Sequence, residues 1–197
     1  MHSPSDMITV EAKNGHKAVE ESPIGFSKET VNKILPQLDA HVSSLFMLFH
    51  QYQKHHWIVS GPQFRDLHLY LEEAYTEIHK DLDALAERMT ILGGLPTSHP
   101  VEMHKTAYID HEPEGMFSIR DMLYNNLQAE QEVIKHIRES VEVSVGIKDW
   151  GTERLLKKLL YHAEDRAHHL DHYLERNTLL RDLAQPTVED REAEGEK

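Results

Sequence analysis

His68, Glu72, Tyr75, His79, Asp83 and Glu87 follow one another at intervals of three or four residues. Residues so spaced share one face of an α-helix, so a helix here carries two imidazoles and three carboxylates in a single stripe. Imidazole nitrogen and carboxylate oxygen together suit first-row divalent metals, iron and zinc among them. The same spacing equally describes a solvated face with pairs such as His79–Asp83, each stabilising a helix by roughly 0.2–0.5 kcal/mol. His56 lies twelve residues before His68, where the apolar stripe Leu38, Val42, Leu45, Phe49, Tyr52 would continue, so it is expected to point inward. A lone inward histidine is most often a satisfied core residue. Nearer the C-terminus, His162, His168, His169 and His172 add nitrogen donors, and His168 and His172 share a face. The segment Ala167 to His172 also reads as an ordinary polar helix face.

The chain has 16 histidines and no cysteine, so thiolate ligands and thiol nucleophiles are excluded. Di-iron sites inside a four-helix bundle take a Glu-x-x-His motif from each of two helices. This sequence has no Glu-x-x-His. A site built from these ligands must be assembled otherwise, and a second copy of the chain is the natural source.

Four long amphipathic segments position these residues. The first carries the stripe that ends at His56, with Pro36 in its first turn or at a kink. Ser60-Gly61-Pro62 separates it from the second, whose core stripe is Phe64, Leu67, Leu71, Ala74, Ile78, Leu82, Leu85 and Met89, ended by Gly93-Gly94-Leu95-Pro96. Residues 97–117 read as a long crossover with room for one short helix. Ser118 and Asp121 resemble a capping box for the third helix, through Leu123, Leu127, Ile134, Ile137 and Val141. Gly146 and Gly151 bracket a turn, and Thr152 is read as the cap of the fourth helix, through Leu156, Leu159, Ala163 and Leu170. Four helices of about 25 residues, each roughly 38 Å long, with a long middle connection, describe an all-α, ferritin-like four-helix bundle. The expected division is an arm over 1–26, the bundle over 27–177 and an acidic tail over 178–197.

Thirty-four acidic against 21 basic residues give a formal charge of −13, and neither end carries a basic run. Binding to a phosphate backbone is therefore expected to be weak or absent. No apolar run approaches the roughly 18 residues of a membrane span, and no signal-peptide pattern opens the chain. These features suit a soluble, cytoplasmic protein.

His56-Trp57, Gly61, Phe64, Leu67-His68, Asp83, Ala86-Glu87-Arg88 and Gly93-Gly94 together resemble the signature of the Dps miniferritins, over about residues 30–177. The resemblance implies a hollow homo-oligomeric shell of twelve subunits. In it, His56 and His68 of one subunit face Asp83 and Glu87 of a twofold partner, forming a ferroxidase site. Iron(II) bound there is oxidised by peroxide or oxygen and stored inside as ferric mineral. Glu72 stands where the family commonly has aspartate. His79 stands where most members have no histidine, which points to an imidazole-richer site open to zinc as well as iron, with His168 or His172 as a further ligand. Family shells admit iron through acidic pores near the start of the fourth helix; here Asp149 and Glu153 are candidates, with Arg154 where an acid is often found. The rival readings are a helical oligomer that sequesters zinc or another divalent ion without redox chemistry, and a purely structural oligomer.

Overall fold

In the computed structural model, which describes Ala18 and residues 21–175, the regular structure is helical throughout. A single turn, α1 (Lys28–Val31), precedes the long α2 (Leu35–Ile58) and α3 (Phe64–Ile91). A crossover carrying α4 (Pro100–Thr106) leads to α5 (Ile119–Gly146) and α6 (Trp150–Leu174). α2 packs against α3, α4 and α5, and α6 closes the bundle against α5 and α3. This is the expected four-helix bundle with a long crossover between its two hairpins. Most of the segment 1–26 and all of 178–197 lie outside the described residues. Of the former, Ser22 is buried and its hydroxyl donates to the Ile91 carbonyl at 3.3 Å.

Leu38, Tyr52, Leu71, Ile78, Leu85 and Ile137 are fully buried on the stripes read from the sequence. Pro36 sits in the first turn of α2. Ser118 caps α5, accepting from the Asp121 amide at 3.1 Å and donating to its carboxylate at 2.7 Å. α6 differs from expectation. Its cap is Asp149, which accepts the Thr152 amide at 3.0 Å and the Thr152 hydroxyl at 2.5 Å. Gly151 already lies inside the helix, and the turn is made by Lys148 at φ 59°. A carboxylate suits the positive end of a helix dipole better than a hydroxyl, and Arg88 Nη2 fixes this one at 2.6 Å. At the end of α3, Gly93 has φ 81°, and a Cβ on Gly94 would stand 2.6 Å from Leu35 Cδ2. The Gly-Gly pair thus ends α3 and lets the chain pass close over the start of α2.

α2 buries more than its apolar stripe. Asp39, His41, Ser43, Ser44, Gln51 and His55 are buried as well. The crossover explains most of this, since it lies along the second face of α2 and gives partners to Asp39, His41, Ser44, Gln51 and His55. Thr97 donates its amide and hydroxyl to Asp39 at 2.8 and 2.7 Å. The Tyr108 amide donates to Ser44, and His41 bridges the Tyr108 hydroxyl and Ser140 at 2.9 and 2.8 Å. Glu112 meets Lys54 at 2.9 Å and His55 at 2.8 Å. α2 is thereby fixed along its length, its last turn included.

Candidate metal centre

That last turn of α2 and the first turns of α3 bring His56 and His68 together. Their rings stack with centroids 3.7 Å apart and planes 20° from parallel. The hydrogen bonds are reciprocal: Nδ1 of His56 lies 2.9 Å from the His68 carbonyl, and Nδ1 of His68 lies 3.0 Å from the His56 carbonyl. A carbonyl oxygen can only accept, so each Nδ1 must carry the proton. In the neutral ring that leaves Nε2 with its lone pair free, the arrangement in which histidine binds a metal. Tyr75 meets the His56 ring edge-on at 5.3 Å, and Phe64 covers His68 at 4.8 Å.

The remaining candidates lie elsewhere. Glu72, His79, Asp83 and Glu87 are exposed along α3, and His79 packs at 5.4 Å from Phe49. Glu72 opens onto a cleft between α3 and α6. At about 1.5 Å per residue, Asp83 and Glu87 stand roughly 22 and 28 Å from His68 along the helix. They cannot share an ion with the histidines of their own chain. His168 and His172 are exposed near the end of α6, with rings 4.3 Å apart. Their helix end lies beside the first turns of α3, where Tyr70 meets Tyr173 at 5.3 Å and His169 at 6.0 Å. Two large aromatics flank the His56–His68 pair and are open to solvent in the single chain: Trp57 is 67% and Phe64 45% exposed.

The interior of the bundle, where di-iron proteins of this architecture place their metals, holds a guanidinium instead. Arg166 donates from Nε and Nη2 to the two oxygens of Glu130 at 2.7 and 3.1 Å, and from Nη1 to Glu77 at 2.8 Å. Tyr52 donates to the same Glu130 at 2.9 Å. Burial works against the charge on Arg166, but Glu130 outweighs it and holds the arginine fully protonated. Beside this pair, Glu77, Asp81 and His162 bring three potential ligand atoms within 4.8 Å of one another. Asp81, Glu77, Glu130 and Arg166 were not picked out from the sequence. Their signal is one of position: Asp81, Glu130 and Arg166 each stand three residues after and four before a core residue (Ile78 and Leu85, Leu127 and Ile134, Ala163 and Leu170), which marks a buried charge without naming the helix that supplies its partner.

Residues 35–180 match the family described as the ferritin-like domain. The DNA protection during starvation protein of Halobacterium salinarum is 40% identical over 143 residues, covering 73% of this chain and 79% of its own. The chain belongs to the Dps family of ferritin-like proteins. A nutrient stress-induced DNA-binding protein of a Nostoc species is 32% identical over 85% of this chain and 91% of its own. The crystal structure of an archaeal Dps homologue from Halobacterium salinarum superposes with a TM-score of 0.84 at 34% identity, covering 91% of this chain and 99% of that one. Dps from Thermosynechococcus elongatus gives 0.74 at 25% identity, over 80% and 98% of the two chains.

Within this Dps chain both carboxylates at the start of α6 have partners in the same chain. Asp149 is buried, caps the helix and binds Arg88. Glu153 pairs with Lys157. The Arg88 side chain spans from α3 to the α6 cap to reach Asp149. No helix among the described residues is long and apolar enough to cross a membrane.

Proposed function

We propose that two copies of this chain join along α3 to build a ferroxidase site, at which iron(II) is oxidised before storage as ferric mineral inside a twelve-subunit shell. The observation that carries the reading is the His56–His68 pair. Its Nδ1 protons are committed to backbone carbonyls and its Nε2 lone pairs are free, yet Asp83 and Glu87 of its own chain lie more than about 20 Å away along α3, which leaves Glu72, one turn beyond His68, and no second carboxylate of that stripe. An antiparallel pairing of two α3 helices supplies one. The register that sets His68 against Asp83 of the partner subunit also sets Glu72 against His79 of the partner subunit, because both pairs centre on the same point beside Tyr75. Glu87 of the partner subunit then falls one turn beyond. Burial of Trp57 and Phe64 in the contact gives the pairing an apolar rim.

Iron(II) is the substrate. Two ions reduce one hydrogen peroxide to two waters with two protons, or pass their electrons to oxygen, and the carboxylates favour the harder ferric product. His56, His68, Asp83 and Glu87 hold the ion; Glu72 and His79 complete the surround. His168 and His172 are proposed as outlying nitrogen donors, because the end of α6 lies beside the first turns of α3. The net charge of −13 speaks against DNA as a partner, whatever the names of the relatives.

A second reading, sequestration of zinc without redox chemistry, is favoured by one observation: His79 adds an imidazole to the carboxylate face of α3. Following iron(II) oxidation after addition of peroxide separates the two. Rapid oxidation that slows at least about tenfold in His68→Ala supports the ferroxidase. Tight zinc binding with iron oxidised no faster than in buffer supports sequestration.

A further inference from the structure

Behind the stripe that carries the proposed interface site, α3 has a second metal-competent face. Glu77 and Asp81 are nine and thirteen residues beyond His68, which turns Glu77 about half a revolution away from it. They look toward α6 across a cleft of about 470 Å³. At its floor, His162 Nδ1 lies 3.0 Å from both oxygens of Asp81 and 3.8 Å from Glu77 Oε1. Two ligands at right angles on a metal with bonds of about 2.1 Å are themselves about 3.0 Å apart. The imidazole and the Asp81 carboxylate already have that spacing.

The charge around the cleft favours a cation. Arg166 is the nearest fixed positive charge, but it is neutralised by its two bonds to Glu130. Glu77 and Asp81 are left with a histidine between them and a share of Arg166, whose Nη1 lies 2.8 Å from Glu77 and 3.8 Å from Asp81, so three carboxylates with Glu130 face one guanidinium. Lys80 and Lys158 line the cleft, offset by Glu72 and Glu73. Asp81 is 4% exposed, and a buried carboxylate without a full counter-charge is costly. Burial accordingly pushes its carboxyl above the ordinary range, against the pull of His162 and Arg166.

We propose that Glu77, Asp81 and His162 form a divalent-metal site within each single chain, separate from the interface, for a first-row cation such as iron(II), zinc(II) or manganese(II). His162 binds through Nδ1, its proton passing to Nε2, and Asp81 and Glu77 give carboxylate oxygens. The remaining positions open to the cleft, which leaves the ion exchangeable. The site needs no second subunit, so it stands or falls independently of the ferroxidase reading.

Crystals of the full chain soaked in cobalt(II), measured on both sides of the cobalt absorption edge, test this. An anomalous peak within about 2.3 Å of His162 Nδ1 and Asp81 is expected. It should vanish in His162→Ala and survive in His68→Ala. Equilibrium dialysis in solution should show one cobalt fewer per chain in His162→Ala and in Asp81→Asn, both checked for unchanged helix content. No peak at His162 at millimolar cobalt, a peak that persists in His162→Ala, or unchanged stoichiometry in both variants overturns the proposal.

Discussion

Replacing His68 by alanine removes one Nε2 and also frees the His56 carbonyl and ring that it holds. His68 borders the core stripe without filling it, so helix content should persist while iron(II) oxidation slows at least about tenfold. Oxidation at the parental rate would take the pair out of the site. His79 makes a narrower test. In the proposed pairing it adds a neutral nitrogen donor, which favours borderline ions. His79→Ala should therefore weaken the inhibition of iron oxidation by zinc while leaving most of the activity; equal zinc sensitivity in both proteins would make His79 a plain surface residue. The histidine pair was legible in the sequence because a short turn between two amphipathic stripes leaves little freedom in how His56 and His68 meet. Their reciprocal bonds were not legible, nor was the role of Arg166, because each depends on an angle or a partner that periodicity does not encode. His55, next to the chosen His56, is the more deeply buried of the two, and it serves the crossover through Glu112.

At the scale of the element, α2 shows where amphipathic reading stops. Periodicity locates its apolar stripe but does not show that Asp39, His41, Gln51 and His55 are buried too, under the crossover. His41 is the consequence with a measurable sign. Burial, then the nearby His136, pushes its pKa down to about 3. The folded state thus binds this proton far less readily than the unfolded chain, whose histidines titrate near 6.5. The stability it permits is complete above about pH 6.5 and is lost as pH falls toward 3, with a slope of about 1.4 kcal/mol per pH unit. Burial shifts His55 the same way, opposed by Glu112. Thermal melting from pH 7.5 to 5 should show a falling midpoint, and His41→Asn, though less stable at neutral pH, should show a shallower fall. Parallel curves would mean that His41 does not carry the acid sensitivity. The helix ends were read with mixed outcome for a related reason. Ser118 and Asp149 both cap a residue three positions on, but Asp149 is also held by Arg88 on a distant helix, a partner that local sequence does not name.

At the scale of the whole molecule, a site split between copies makes assembly a condition of activity. Light scattering under native conditions should report twelve subunits, and a population of monomers or dimers alone would contradict the proposed shell. Plasmid DNA should show no gel shift at about 150 mM salt, because nonspecific affinity depends on phosphate neutralisation by Lys and Arg and the chain carries −13. The most direct test of the shared site is complementation. His68→Ala and Asp83→Ala shells, each made alone, should both be slow in iron(II) oxidation, since every site lacks one ligand. When the two variants are co-expressed and assembled together, a mixed pair contains one site with His68 from one chain and Asp83 from the other, both intact. The account predicts that these mixed shells regain a substantial part of the parental oxidation rate. Mixed shells as slow as either variant, with mass spectrometry confirming that both chains are present in one particle, would contradict a site built between two copies.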